Sequence, residues 1–214
     1  MVKLDILKSR EEWLENRTRI GGSEAAAIVG MNPYMSNTEL WDIKTGAKEH
    51  EDISAKPYVA YGVAAEPLQR ELFKLDYPNY SVWYEENNMF TNDSYPFAHA
   101  SLDGVLKDER GRSGILEIKT TNIVRSEMSD KWKDRIPDNY YIQLLHYLIV
   151  TEFEFAVLRA QLKWERDDDV FCQIRHYHIE RKDVEEDIEY LIREERAFWE
   201  SVQSGRRPAK ILKL

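Results

Sequence analysis

Along the first half of the chain, apolar positions recur at helical spacing between polar punctuation marks. Ser9 with Glu12 makes a capping box that predicts a short helix, and Ser23 is placed to cap a second one, EAAAIVG, that stops at Gly30. Ser36 with Glu39 repeats the capping pattern ahead of LWDIKTG, where Gly46 ends the turn. From Pro57 a longer helical stretch reaches about Leu75, with Val59, Leu68, Leu72 and Leu75 as its inward positions. Pro67 inside it predicts a kink or a fresh helix start.

The period then changes. Residues 80–90, 97–106 and 114–119 are rich in aromatic and β-branched types and read as extended. The polar turn KDERGRS, with Gly111, joins the last two into a hairpin. Asp138 caps a helix, NYYIQLLHYLIVT, and residues 154–163 and 170–179 form two more strands around the acidic turn ERDDD. An amphipathic helix covers about 182–203, its acids at 183–195 forming a solvated face, and the tail GRRPAKILKL is basic. This order predicts an α/β fold, a mixed central β-sheet flanked by helices, in place of a doubly wound parallel one. One domain, 1–214, is expected, with the N-terminal helices (1–50) and the C-terminal helix and tail (182–214) elaborating a core.

Composition narrows the classes. At 43% hydrophobic and 32% charged residues the chain has enough apolar material for a core and the polarity of a soluble protein. No stretch approaches the ~20 apolar residues of a membrane helix, and the start, MVKLDILKSREEW, lacks a secretory signal, so a cytoplasmic location is the expectation. Cys172 is the single cysteine, which excludes intramolecular disulfides and cysteine-rich zinc or iron–sulfur sites. A net charge of −9 argues against a protein that coats nucleic acid. It leaves room for an enzyme that grips DNA in one local groove.

The candidate chemistry lies in the hairpin. Glu117 and Lys119 share a strand face. Folding the turn about Arg110 sets Asp103 opposite Glu117. Two adjacent carboxylates repel, and a hard divalent cation removes the conflict. Magnesium suits such a site, with a few carboxylates and several waters. It would support phosphodiester hydrolysis, with two ions ~4 Å apart clamping attacking and leaving oxygens, while Lys119 orients or deprotonates the water. An ordinary exposed ion pair carries the same spacing. Apolar Ile115, Leu116 and Ile118 around the pair, and Gly104 beside Asp103, favour the chemical reading.

At this point the chain resembles a known group. Four segments carry the resemblance: Arg19-Ile-Gly-Gly-Ser23-Glu-Ala-Ala with Asn32-Pro33-Tyr34 and Glu39-Leu-Trp…Lys-Thr-Gly46; Gly62-Val-Ala-Ala-Glu66-Pro; Ser101-Leu-Asp103-Gly with Leu116-Glu117-Ile-Lys119-Thr120; and Tyr140-Tyr-Ile-Gln143 running to His146-Tyr147. Together, from about residue 13 to 151, they look like the phage lambda exonuclease family, the viral-type recombination exonucleases of the PD-(D/E)xK nuclease superfamily. The resemblance implies a restriction-endonuclease-like core, with Glu66, Asp103, Glu117 and the Ile118 carbonyl as metal ligands and Lys119 as the catalytic lysine. It also implies a 5′-phosphate pocket of Ser23, Ser101 and Gln143 with an arginine ahead of Ser23. Arg17 and Arg19 are both available there, and Arg17, farther from the helix start, is preferred. Tyr141 joins the DNA-contacting set. A second glutamine that relatives often carry two residues after Gln143 is Leu145 here.

The same resemblance implies two magnesium ions (manganese as substitute), a ring-shaped trimer around DNA, and 5′→3′ digestion of duplex ends. It further implies a 3′ single strand passed to a phage annealing protein. Two alternatives stay open: a nuclease of the same fold with endonucleolytic action or other polarity, and a non-catalytic DNA-end-binding protein. Outside these segments, Lys131, Lys133 and Arg135 beside Trp132 form either a phosphate-gripping loop or a solvated one. Arg206, Arg207, Lys210 and Lys213 form a basic tail suited to DNA or to a trimer contact.

Overall fold

The computed structural model of the chain describes residues 1–212. Strand β1 (Val2–Ile6) is followed by helices α1 (Arg10–Asn16), α2 (Gly22–Ile28), α3 (Asn37–Lys44) and α4 (Pro57–Asp76). Then come β2 (Ser81–Trp83), β3 (Asn88–Asn92), β4 (His99–Ala100), β5 (Gly104–Lys107) and β6 (Ser113–Asn122). The chain ends with α5 (Ser126–Asp130), α6 (Asp138–Thr151), β7 (Phe155–Arg166), β8 (Asp169–Glu180) and α7 (Glu185–Gln203). Five strands form a sheet in the order β2-β5-β6-β7-β8, and β1, β3 and β4 form a smaller one. In the large sheet β6 and β7 run parallel and the other neighbours antiparallel. Helix α6 lies in the crossover that the parallel pair requires. The mixed, helix-flanked sheet is the architecture expected from the sequence.

Side chains alternate across β6. Ile115 joins a core with α2, α6 and α7, whereas Leu116 and Ile118 join Phe73 of α4, Leu106, Phe155 and Val157 on the opposite face. Glu117 and Lys119 therefore share the face of Ile115, toward α6. A Cβ on Gly114 would stand 2.2 Å from the Phe155 ring, so that strand start accepts no side chain.

Several local expectations are corrected. Helix α2 is capped by Gly21, whose N–H is taken by Glu24, and Ser23 sits inside the first turn. The N-cap of α6 is Pro137, with Asp138 its first helical residue. Helix α4 runs through Pro67 without restarting. Its buried face is Ala65, Gln69, Arg70 and Phe73, while Leu68, Leu72 and Leu75 point to solvent and Val59 is half-buried. The reason is polar. Arg70 donates to the Asp103 carbonyl and Gln69 accepts from the buried Arg159, which turns the leucine stripe outward. Glu195 is not on a solvated face: it is fully buried against His146 Nδ1 at 2.7 Å. Strand β1 and helix α5 carry no signal that the sequence reading used. The tail straps back onto α3, with Arg207 paired to Asp42 and Asn37 bonded to the Ala209 carbonyl at 2.8 Å. Lys213 lies outside the described residues.

Two segments expected as single strands are each broken. Residues 84–87 carry the chain from the large sheet to the small one, with Asn87 at φ 56, and residues 101–103 carry it back. The small sheet is pinned to α6 by His146 Nε2 against the His99 carbonyl at 2.9 Å.

Two outcomes follow from this packing. Gly114→Ala is expected to destabilise the fold by roughly 1–3 kcal/mol through overpacking against Phe155, read from the urea midpoint. The second concerns His99, which burial, then the neighbouring His146, holds down to about 2. Above its ordinary value of 6.5 it is neutral folded or unfolded. Below that, the unfolded chain takes up a proton the folded one refuses, so stability is lost as pH falls from 6.5 toward about 2. Wild type should lose more unfolding free energy between pH 7 and pH 5 than His99→Gln; equal losses would remove His99 as the cause.

Candidate active site

The two crossings between sheets meet at Asn88. Its Oδ1 accepts from Leu102 N–H at 2.8 Å, and its Nδ2 donates to the carbonyls of Leu102 and Glu85 at 3.0 and 2.9 Å. This stitch holds the residues around Asp103 where the sheets part. The β5–β6 register pairs Gly104 with Leu116, so Asp103 lies one residue past the last pair, level with Glu117. That is the register expected from folding the turn about Arg110. Asp103 Oδ2 accepts from Ile118 N–H at 2.8 Å. In a strand a residue's N–H and C=O leave on the same edge, so the Ile118 carbonyl faces the same opening.

Glu117 has a side chain only 2% exposed, and its Oε1 takes Lys119 Nζ at 2.5 Å and Gln143 Nε2 at 2.9 Å. Gln143 Nε2 also donates to the Tyr147 hydroxyl at 2.8 Å. Glu66 comes from α4 and is paired with Arg70 one turn on. Arg70, itself buried, donates from Nε to the Asp103 carbonyl at 2.6 Å, and its guanidinium lies 3.5 Å over the Tyr84 ring.

Burial, then Asp103, pushes Glu117 up to about 8. Burial and the same neighbour raise Glu66 to about 7. Burial raises Asp103 as well, against the pull of Lys119 and the Ile118 N–H. Lys119 goes the other way from a free base. Burial alone would lower it, but Glu117 and Asp103 outweigh burial and hold it charged. The cluster is short of positive charge. Asp103 and Glu117 lie within hydrogen-bonding reach, and Glu117 Oε2 is buried with no donor among the described residues. An orphaned carboxylate oxygen facing a second carboxylate is what a hard divalent cation satisfies, so the donor set fits magnesium. Among the described residues no three acidic, imidazole or thiol groups close into a ready cage, and Glu66 is paired with Arg70.

A cleft of about 520 Å³ is lined by Glu66, Asp103, Arg17, Ser23, Ser101 and Gln143, bringing together residues proposed from distant segments. Arg17 lines it, while Arg19 turns toward two other grooves. Tyr141 is directed elsewhere, its hydroxyl donating to Asp187 of α7 at 2.5 Å. Lys131, Lys133 and Arg135 are exposed next to α5 and do not line the cleft. Ser101 is already engaged: its Oγ donates to the Asn88 carbonyl at 2.7 Å and accepts from Trp13 Nε1 at 2.9 Å. A Cβ on Gly22 would stand 2.4 Å from the Tyr147 ring, so glycine lets the start of α2 close on α6 beside Gln143. The buried pair Glu24–Lys44, at 2.8 Å, fixes that helix start from behind.

Arg70, Arg10 and Trp13 line the cleft and were not among the residues singled out as functional. Arg70 had a usable signal, standing four residues after Glu66 on one helix. Trp13 had none, because its role depends on a serine 88 residues away.

A family model described as the YqaJ-like viral recombinase domain matches residues 12–154. The chain is 33% identical over 185 residues to the uncharacterized protein YqaJ of Bacillus subtilis (strain 168), covering 80% of this chain and 55% of YqaJ. It thus spans about half the length of that curated relative. Its fold resembles an alkaline exonuclease from Laribacter hongkongensis (TM-score 0.64, 16% identity, 92% of this chain and 94% of that one). The same exonuclease in complex with dAMP matches with a TM-score of 0.63 at 14% identity, over the same shares of the two chains. A phage-related exonuclease from Haemophilus somnus 129PT matches with a TM-score of 0.53 at 14% identity, over 87% of this chain and 96% of that one. At such identities the likeness is one of fold. The family match nearly coincides with the segments that carried the resemblance, and the chain belongs to the YqaJ-like viral recombinase domain family, relatives of the phage lambda exonuclease.

Proposed function

We propose that the chain is a magnesium-dependent nuclease that digests linear duplex DNA from its 5′ ends. Mononucleotides with 5′-phosphates are released, and a 3′ single strand is left for recombination by annealing. The observation that carries this reading is Glu117, buried with an orphaned oxygen against the charged Lys119 and level with the half-buried Asp103, which itself lines a cleft that also holds Arg17 and Ser23. A non-catalytic DNA-binding module has no use for two adjacent acids that would oppose a phosphate.

Asp103, Glu117 and the Ile118 carbonyl are the donors that would hold the cation, with Glu66 the third acid of the cluster. When bound, magnesium supplies neutralisation of charge on the phosphate and acidification of water, with a second ion for the leaving oxygen and manganese as a substitute. The chain's own groups do the rest. Lys119, held charged by its carboxylate neighbours, donates hydrogen bonds to a phosphoryl oxygen and to the attacking water, orienting it. Gln143 and Tyr147 hold Glu117 in one rotamer. Arg17, Ser23 and the first turn of α2 receive the terminal phosphate.

Assembly as a homotrimer ring, acting in the cytoplasm with a phage single-strand annealing protein, belongs to the same proposal. Leu68, Leu72 and Leu75, exposed at one-turn intervals on α4, offer an apolar stripe for such packing. No helix among the described residues is long and apolar enough to cross a membrane.

Duplex DNA labelled at its 5′ or 3′ end, with magnesium or with EDTA, tests the activity. Early, magnesium-dependent release of the 5′ label is expected, reduced at least ~100-fold in Lys119→Ala. DNA binding without release from any end would sink the reading. Light scattering at micromolar concentration should give the mass of three chains, and Leu72→Glu should shift it to one; a monomeric wild type would refute the ring.

A further inference from the structure

Around the cleft most charges are spoken for. Arg70 is paired with Glu66, and Lys119 with Glu117. Two guanidiniums differ. Arg10 and Arg17 line the cleft and form no ion pair among the described residues, in a chain of net charge −9. Both are held against one indole instead: Arg17 lies 4.5 Å and Arg10 5.4 Å from the Trp13 ring centroid. That indole is itself fixed, with Nε1 donating to Ser101 Oγ at 2.9 Å, and Ser101 donating on to the Asn88 carbonyl at 2.7 Å. The anchor is the same Asn88 that stitches the two sheet crossings beside Asp103. Nearby acids do not neutralise Arg10. Glu12 is engaged with the Lys8 N–H, Asp52 is bonded to Ser54, which outweighs its interaction with Arg10, and Glu86, which lines the same cleft, forms no ion pair with Arg10 among the described residues.

We propose that Arg10 forms a second phosphate-binding position of this cleft, taking an internucleotide phosphate while Arg17 takes the terminal one. Trp13 serves as the rigid platform that spaces the two. This rests on the nuclease reading and extends it: the site recognises a strand end by two backbone phosphates, independent of base. An arginine preorganised on an aromatic face loses little freedom when it meets a phosphate. Two such positions on one short helix fix where the strand lies relative to Asp103 and Glu117. Ser101 then acts through Trp13, because its hydroxyl proton is already given to Asn88.

The test is equilibrium binding of a hairpin-closed duplex with one open end, carrying a 5′-phosphate or a 5′-hydroxyl. Calcium replaces magnesium, and potassium chloride is varied. Arg10→Gln is expected to lower the slope of log K against log salt by about one and weaken binding about tenfold at moderate salt, equally on both ends. Arg10→Lys should keep the slope, and matching thermal melts show that the fold is intact. Arg17→Gln should instead erase the difference between phosphorylated and hydroxyl ends. An unchanged slope in Arg10→Gln, with wild type binding normally, overturns the proposal. So does loss of end discrimination in Arg10→Gln, which would put Arg10 in the terminal-phosphate pocket. A wild type that binds no duplex end fails the nuclease reading itself and this position with it.

Discussion

Glu117 is buried beside the half-buried Asp103, and the rest of the site is arranged around the cost of that contact. A buried carboxylate without partners is expensive, and two together more so. The chain offsets part of the cost from three directions. Strand β6 supplies the Ile118 N–H and the Lys119 ammonium, helix α6 supplies Gln143, and helix α4 brings Arg70 to the Asp103 carbonyl. The offset is incomplete, since Glu117 and Glu66 are still held well above the usual carboxylate range and Glu117 Oε2 has no donor among the described residues. Such a residual deficit of positive charge is what the divalent cation of the proposed function would offset. It also explains why Lys119 stays charged: two carboxylates outweigh its burial.

The deficit sits where the chain changes sheets. Had residues 80–90 and 97–106 been continuous strands, Asp103 would have been one more ladder position with a strand on both sides. Instead both segments break at the same level, and the Asn88 amide replaces the missing ladder bonds at Leu102 and Glu85. The break exposes the end of the β5–β6 hairpin to the cleft while keeping its register. Backbone that leaves a sheet needs new partners for its N–H and C=O groups. A buried asparagine with both ends used is an economical way to supply them. Trp13 and Ser101 hang from the same point, so the arginine side and the acidic side of the cleft share one anchor.

What the sequence disclosed follows from the range of each interaction. The hairpin register is legible in the sequence because turn length and strand alternation are local, and they alone place Asp103 against Glu117. Helices α1 and α3 were legible from Ser9 and Ser36, whose side chains accept from Glu12 and Glu39 N–H as capping predicts. The face of α4 was not. Its leucines at 68, 72 and 75 have the periodicity of a buried stripe, but periodicity does not say what a stripe packs against. The inward face was decided by Gln69 and Arg70, whose partners Arg159 and Asp103 lie 90 and 33 residues away. Ser23 and Asp138 failed as caps for a simpler reason: the residues before them, Gly21 and Pro137, already have cap geometry. Tyr141 and the 131–135 loop belonged to segments near the site in sequence, but adjacency on a helix or loop does not set direction.

Helix α4 joins two demands on the molecule. On its inner face Glu66 and Arg70 reach the acids of the hairpin, and Phe73 seats the helix on the sheet through Tyr77, Tyr80 and His176. On its outer face the leucine stripe is exposed, an arrangement that monomeric surfaces rarely keep. Helices transmit displacement along their axis because their backbone bonds are stiff, and Glu66 lies between the two faces, half-buried, at the edge of the cleft. One helix thus carries both the exposed apolar stripe and Glu66, while the Arg70 bond to the Asp103 carbonyl ties its backbone to the β5–β6 hairpin. In the ring proposed above, assembly and site geometry would be coupled through this one helix, in a direction set by which of its faces is the more rigidly held. The inner face, with a buried guanidinium bonded to the main chain, is the fixed one, so packing at the stripe must adapt to the site.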